Sequence, residues 1–376
     1  RERKLGLQLK ADKHIACVVK TATQTYPILV GRGLLDKLGE KLKQTGLSGT
    51  VTIISDEIVF SIYGRKVKEI LEDAGFAVNS FVVPSGEATK NINSAIKIYD
   101  SLVEHRVERD DILIALGGGM VGDLAGFVAA TFLRGMPWIQ IPTSLVAMVD
   151  ASIGGKVGVN HPQGKNLIGA FYQPSFVLAD VQTLGSLPQR ELTSGWAEVI
   201  KYGLILDKGF FEFLETNADK LVKLEPNIVT EAVARSAAIK AQVVSQDEKE
   251  REGKRTILNY GHTTAHGLET VTQYKRFLHG EAVAIGMMGA AKLSQRLGLL
   301  SSDVVKKQQF LLERFDLPVS FSEIDLTDVT RAMELDKKTR EKAIRWVLLE
   351  DIGKVVIRSD VSQQDVLAVL QELIGL

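Results

Sequence analysis

The sequence predicts an α/β N-terminal domain with a mostly parallel sheet, followed by a mainly α-helical C-terminal domain. Three observations carry this. Up to about residue 180, short β-branched runs alternate with helical patterns, the signature of parallel strands with helices on both faces. After Pro188 the pattern turns long and helical. The chain has 376 residues, more than one hydrophobic core usually supports. The boundary is placed at 185, giving units 1–185 and 186–376.

In the first unit Ile15–Val19, Tyr26–Val30, Val51–Ile54, Val78–Val83, Ile112–Leu116 and Trp138–Ile141 read as strands, with helices over Ile62–Ala74 and Ile92–His105. In the second, Trp196–Ile205, Ile228–Val244, Gly280–Leu297 and Val304–Phe315 carry helical spacing. A late hairpin is expected at Trp346–Leu349 and Val355–Arg358, turning through Asp351, Ile352 and Gly353.

Composition narrows the function classes. Lys+Arg equals Asp+Glu at 46 each, so no net basic field points to nucleic acid or an anionic membrane. A single cysteine, Cys17, excludes an internal disulfide and suits the reducing cytoplasm. No apolar run reaches membrane-spanning length. A small-molecule enzyme is the expectation.

Two groups of residues suggest where chemistry happens. Strand Ile112–Leu116 runs into Gly117-Gly118-Gly119-Met120-Val121-Gly122-Asp123 and then a helix. Glycines let a phosphate approach the backbone, and the helix N-terminus offers unpaired N–H groups; the spacing is not that of the Rossmann fingerprint. Lys156 and Lys165 follow glycines in what read as Gly/Asn-rich loops, but Val157 and Asn166 stand where a Walker motif needs Ser or Thr. Ligands of such sheets bind at the carboxyl ends of the strands.

The sharper group is Gly261-His262-Thr263-Thr264-Ala265-His266 and Leu278-His279-Gly280-Glu281, which hold three of the six histidines. Imidazole is the commonest metal ligand and titrates near neutrality. His262 and His266 are i, i+4, but Thr263 replaces the glutamate of a zinc peptidase. Glu198 and Lys201 are i, i+3 on one helix face, which Thr193 or Ser194 could cap. Lys240 falls on an apolar stripe with Val233, Ala237 and Val244, a costly place for a cation unless it is paired or binds an anion.

The ordered motifs GGGMVGDLAGF, IPTSLVAMVDASIGGKVGVN, GKNLIGAFYQP, SGWAEVIKYG, LNYGHTTAHGLE and LHGEAVAIGM together resemble the 3-dehydroquinate synthases, from about Tyr26 to the final helices. The resemblance implies a lyase of the shikimate pathway, the second step towards chorismate and aromatic amino acids. It would turn 3-deoxy-D-arabino-heptulosonate 7-phosphate, a sugar-acid phosphate, into 3-dehydroquinate and phosphate. It implies NAD+, one divalent metal (zinc or cobalt) and a homodimer.

Carried over by position, the metal ligands are Glu198, His262 and His279. NAD+ would be held by Asp56, by Ser85, Gly86, Glu87, Ala88, Thr89 and Lys90, and by Gly118, Gly119, Met120, Val121, Gly122 and Asp123. Thr143, Ser144, Lys156, Lys165, Thr183, Leu184, Gly185 and Ser186 complete that set. Substrate would meet Arg134, Asp150, Lys156, Asn166, Lys201, Lys240, Arg255, Asn259, His266 and one of Lys337 and Lys338. Ile58 stands where the family often has asparagine, and Ser144 and Ser186 replace frequent threonines but keep the hydroxyl. Three other readings are a polyol dehydrogenase, which would consume NAD+, another sugar-phosphate cyclase with an altered carboxylate site, and a catalytically dead NAD-binding scaffold, which would be expected to lose a metal ligand.

Overall fold

The structure, a computed structural model, describes residues 12–338 and 344–375, and of 335–338 the backbone alone. The expected alternation becomes one seven-stranded sheet. Its first six strands are β1 (Ile15–Lys20), β2 (Thr25–Gly31), β3 (Val51–Asp56), β4 (Val78–Val83), β5 (Ile112–Gly117) and β6 (Trp138–Pro142). A separate antiparallel hairpin follows, β7 (Lys156–His161) and β8 (Gly164–Phe171), before β9 (Val177–Asp180) returns to the sheet. Helices α1 (Leu38–Gln44), α2 (Glu57–Val59), α3 (Arg65–Asp73), α4 (Ile92–Glu104) and α5 (Gly119–Thr131) connect the strands.

The strand order is β1-β2-β9-β6-β5-β3-β4. Only β1 runs antiparallel to its neighbour, β2, and the remaining pairs are parallel. Every residue of β3 and β5 is buried, as expected of central parallel strands covered on both faces. Successive β5 residues alternate between two cores: Leu113 and Ala115 join one, Ile112, Ile114 and Leu116 the other. The chain passes from β3 to β4 on one side, and β5 then pairs with the other side of β3. That reversal is a topological switch point, where open α/β sheets bind ligands, and Asp56 and Gly118 lie at its carboxyl end.

The helical part comprises α6 (Gln189–Leu206), α7 (Lys208–Val222), α8 (Pro226–Gln246), α9 (His262–Val271), α10 (His279–Arg296), α11 (Ser302–Arg314), α12 (Leu326–Lys338) and α13 (Gln363–Glu372). The late hairpin is β10 (Trp346–Asp351) with β11 (Lys354–Arg358), and Gly353 turns it at φ 84°. No described helix is long and apolar enough to cross a membrane.

The chain forms two compact units, residues 1–187 with 229–249, and 188–228 with 250–376. A single cut at 185 assigned 229–249 to the second unit; in the structure most of α8 groups with the first. Its contacts there explain why. Lys240 Nζ donates to the Asp150 carbonyl (2.6 Å) and carboxylate (2.7 Å). Ser245 Oγ accepts from the Lys20 amide at 3.0 Å. Glu248, just past α8, accepts from the Ala22 amide and from Gln173 Nε2, each at 3.1 Å.

Within the second unit, two glycines let α10 lie against its neighbours. A Cβ on Gly280 would sit 1.8 Å from the Ser194 carbonyl oxygen on α6, and one on Gly286 2.0 Å from the Gly261 carbonyl oxygen before α9. These approaches bring together the helix positions that matter below.

Candidate active site

The metal-type residues come from three helices of the second unit: Glu198 from α6, His262 from the first position of α9, and His279 from the first position of α10. Gly261, at φ 80°, makes the left-handed turn that starts α9, so His262 faces inward as soon as the helix begins. One ligand atom of each residue lies within 4.8 Å of the others. His262 Nε2 and His279 Nε2 are each 3.5 Å from Glu198 Oε1. Two imidazole nitrogens and a carboxylate oxygen form a donor set that suits zinc or cobalt, and the residues fit such an ion.

Side-chain exposure rises from 1% at Glu198 to 13% at His262 and 39% at His279. The centre therefore opens on the His279 side, as a catalytic rather than a closed structural site requires. Lys201 is buried and ion-paired with Glu198. The pair is therefore not a solvated surface ion pair of the kind that contributes little.

The two imidazoles titrate in opposite directions. Burial and the nearby Lys201 ammonium hold His262 well below the usual histidine range. Burial alone would lower His279 too, but its bonds to the Glu198 and Glu269 carboxylates carry it up to about 10. His266 stands one turn after His262 with the rings 5.7 Å apart, and the His262 and His279 rings are 5.3 Å apart.

Arg255 and Asn259 lie on the short 3-10 helix before α9. Arg255 is buried, its Nε 3.3 Å from Glu250 Oε1, while Asn259 is exposed. Lys337 and Lys338 close α12, and their side chains lie outside the described residues. Ser194 does not cap α6, which starts five residues earlier at Gln189; its hydroxyl instead accepts the Gly280 amide at 3.0 Å.

The first unit holds the other group. Gly118 precedes α5 with no side-chain cap, so the leading amides of that helix are available to an anion. A Cβ on Gly118 would reach only Ser144, its Oγ at 3.4 Å and its Cβ at 3.9 Å, whereas one on Gly122 would press on Gln140 Oε1 at 2.8 Å. Thr143 is buried and donates its amide to the Gly117 carbonyl at 3.0 Å. Met120, Val121 and Asp123 follow on α5.

Lys90 is buried and bridges Asp123 (2.9 Å) and Glu87 (3.3 Å). Burial works against its charge, yet the two carboxylates outweigh that and raise its pKa. Burial likewise pushes the Asp123 carboxyl up, against the pull of Lys90. Gly86, at φ 100°, turns the Ser85–Lys90 segment, where Ala88 and Thr89 complete a 3-10 turn. Asp56 accepts from the Ile58 and Val59 amides at 3.0 and 3.1 Å, so its carboxylate caps the helix after β3. Thr183, Leu184, Gly185 and Ser186 form a 3-10 helix after β9, and Ser186 Oγ accepts from the Tyr63 hydroxyl at 2.8 Å.

Lys156 and Lys165 are not in loops. They lie on β7 and β8, and both, with Asn166, are exposed. Lys240 is buried by the Asp150 pair described above. Arg134 is exposed on a turn where Leu133 (φ 49°), Arg134 (φ 65°) and Gly135 (φ 112°) are all left-handed. Two non-glycine residues in that region store strain, which such turns carry at functional sites. The Leu133 carbonyl is clamped by Arg109 Nε and Nη2, at 3.2 and 2.9 Å. Sequence reasoning missed Glu269 on α9, although it lies two turns after His262 on the same face.

Comparison with known proteins adds a family. Residues 80–194 match the family model described as 3-dehydroquinate synthase N-terminal, and 195–339 the one described as 3-dehydroquinate synthase C-terminal. A 3-dehydroquinate synthase of Citrifermentans bemidjiense is 47% identical over 330 residues, 88% of this chain and 91% of that protein. One of Thermodesulfovibrio yellowstonii is 47% identical over 355 residues, 94% of this chain and 99% of the relative. Among solved structures, 2-deoxy-scyllo-inosose synthase complexed with carbaglucose-6-phosphate, NAD+ and Co2+ superposes with a TM-score of 0.86. It is 26% identical and covers 95% of this chain and 100% of its own. The 2-epi-5-epi-valiolone synthase of Streptomyces hygroscopicus, with NAD+ and Zn2+ bound, also gives 0.86, at 28% identity, covering 93% and 96%.

Proposed function

The chain belongs to the 3-dehydroquinate synthase family, and from that premise we propose that it converts 3-deoxy-D-arabino-heptulosonate 7-phosphate to 3-dehydroquinate and phosphate. The observation that carries this reading is the triad of Glu198, His262 and His279 in a chain whose relatives bear that name. The triad would hold one zinc or cobalt ion. Asp56, the Ser85–Lys90 turn, Gly118 to Asp123, Thr143, Ser144, Lys156, Lys165 and Thr183 to Ser186 would hold NAD+. When bound, the metal supplies Lewis acidity at a substrate hydroxyl and NAD+ a hydride acceptor that is restored within the cycle.

The chain's own residues position groups and stabilise charge. From the family resemblance, Arg134, Lys156, Lys201, Lys240 and Arg255 are assigned to the phosphate and carboxylate of the substrate. Lys240 is held by Asp150 and Arg255 is buried beside Glu250, so both cations are ordered in advance. Arginine's planar fork suits a carboxylate or phosphate in a way lysine cannot match. Asn166 and Asn259 are assigned to hydroxyls or anions of the same substrate. His266, partly buried beside His262, is an imidazole placed to take or give a proton. One of Lys337 and Lys338 adds a further cation. The balanced charge and single cysteine support a cytoplasmic enzyme, and the family supports a homodimer.

The test is phosphate release from the heptulosonate phosphate, with and without a chelator. Chelator-sensitive release without net NADH accumulation supports the reading. Steady NADH accumulation with a simple diol would instead support a dehydrogenase.

A further inference from the structure

The Nδ1 atoms of the two triad imidazoles are also engaged, and by unlike partners. His262 Nδ1 lies 3.1 Å from the Tyr260 carbonyl oxygen, and His279 Nδ1 lies 3.2 Å from Glu269 Oε1. With a metal ion on Nε2, each acceptor would select the tautomer whose proton sits on Nδ1. Both Nε2 atoms face Glu198 Oε1. The ring orientation is therefore set from behind at both histidines, but only His279 is backed by a carboxylate.

The location of Glu269 makes that contact meaningful. It is buried at 7% exposure in the last turn of α9. A helix C-terminus disfavours negative charge, and burial adds a desolvation cost. The bond to His279 offsets both. His279 in turn needs support that His262 does not. His262 is only 13% exposed, while the His279 side chain is 39% exposed at the first residue of its helix. A carboxylate behind an imidazole both restrains the ring and strengthens its donation to a metal, and loss of such a partner typically weakens metal binding by about 10–100-fold.

We propose that Glu269 is a positioning residue of the metal centre, whose carboxylate holds His279 in the ligating orientation and tautomer and so sets how tightly the ion is bound. This rests on the reading of Glu198, His262 and His279 as a metal centre. Glu269 is not one of the three residues whose ligand atoms converge, and Tyr260's carbonyl gives His262 a like partner without the charge.

The experiment measures Zn2+ and Co2+ affinity of the metal-free chain by competition with a chromophoric chelator, for the parent, E269Q, E269A and H279A. Thermal midpoints of the metal-free forms and the visible spectra of the Co2+ forms are recorded alongside. E269A is expected to bind about 10–100-fold more weakly. E269Q, which keeps the shape and an accepting oxygen but not the charge, should fall between E269A and the parent with an unchanged metal-free midpoint. E269Q carries the test should E269A fail to fold. Affinities of folded E269A and E269Q within about twofold of the parent would overturn the role of Glu269 while H279A still lost the metal. If H279A also left affinity unchanged, the metal-centre reading would fall, and the role of Glu269 with it.

Discussion

The proposed centre in the helical unit is made of side chains, whereas the phosphate-binding part of the nucleotide site proposed in the α/β unit is made largely of backbone. Glu198, Lys201 and Glu269 are buried on helix faces, where a charge has to be paired or used inside the protein. Around β5 and α5 the corresponding features are glycines, an uncapped helix start and the carboxyl end of a switch point. The first kind of site fails when one side chain is removed. The second should tolerate most single changes, because each amide contributes little.

The largest effect should come from the triad. H262A or H279A removes one of three ligands, so activity should become undetectable and bound metal should fall, as read by metal analysis of the purified chain. H266A should keep its metal and turn over slowly. If H266A lost the metal while H279A kept it, the ligand assignment would be wrong.

The same centre should also break from behind. In G280A the new Cβ would lie 1.8 Å from the Ser194 carbonyl oxygen, an overlap no side-chain rotation relieves. The α6–α10 approach must widen, carrying Glu198 away from His279. A loss of about 3 kcal/mol in stability, with weaker metal binding, is expected from denaturant melts and chelator competition. A variant with parental stability and metal content would show that this helix approach does not set the site.

The sequence made much of the side-chain centre legible and less of its surroundings. The β-branched strands and the histidine cluster announced themselves through periodicity and residue type. The β7–β8 hairpin did not, because KVGVNH and GKNLIGAF are interrupted by glycine and asparagine and read as loop. At four residues, VLAD of β9 is too short for alternation to register. The stripe on α8 announced that one face is buried but not against which unit, since amphipathicity names no partner. Glu269 escaped because a glutamate near a helix end is ordinarily solvated; only the distance to His279 reveals it.

A cation assigned above to the substrate should give the next effect. Arg255 is buried with Glu250, and lysine cannot reproduce a forked, charge-assisted contact. R255K should lower kcat/KM by about 2–4 kcal/mol, the scale for losing part of a buried charge pair. NAD+ and metal affinities should stay as they are. A near-normal kcat/KM on the heptulosonate phosphate would take Arg255 out of the substrate site and reopen the choice among cyclases.

The smallest effect tests the backbone site most directly. Gly118 has φ −74° and ψ −171°, angles any residue adopts, and an added Cβ would meet only Ser144, at 3.4 Å from its Oγ and 3.9 Å from its Cβ. G118A should therefore fold with an unchanged thermal midpoint. What the methyl group takes away is the close approach of an anion to the first amides of α5. NAD+ affinity should weaken by about 1 kcal/mol, the order of one ordinary hydrogen bond, while metal content stays at the parental level. The two regions would then separate cleanly, one losing cofactor without metal and the other metal without cofactor. Unchanged NAD+ affinity in G118A would mean that the glycine serves the turn rather than the ligand, and the dinucleotide would have to be sought elsewhere on the sheet.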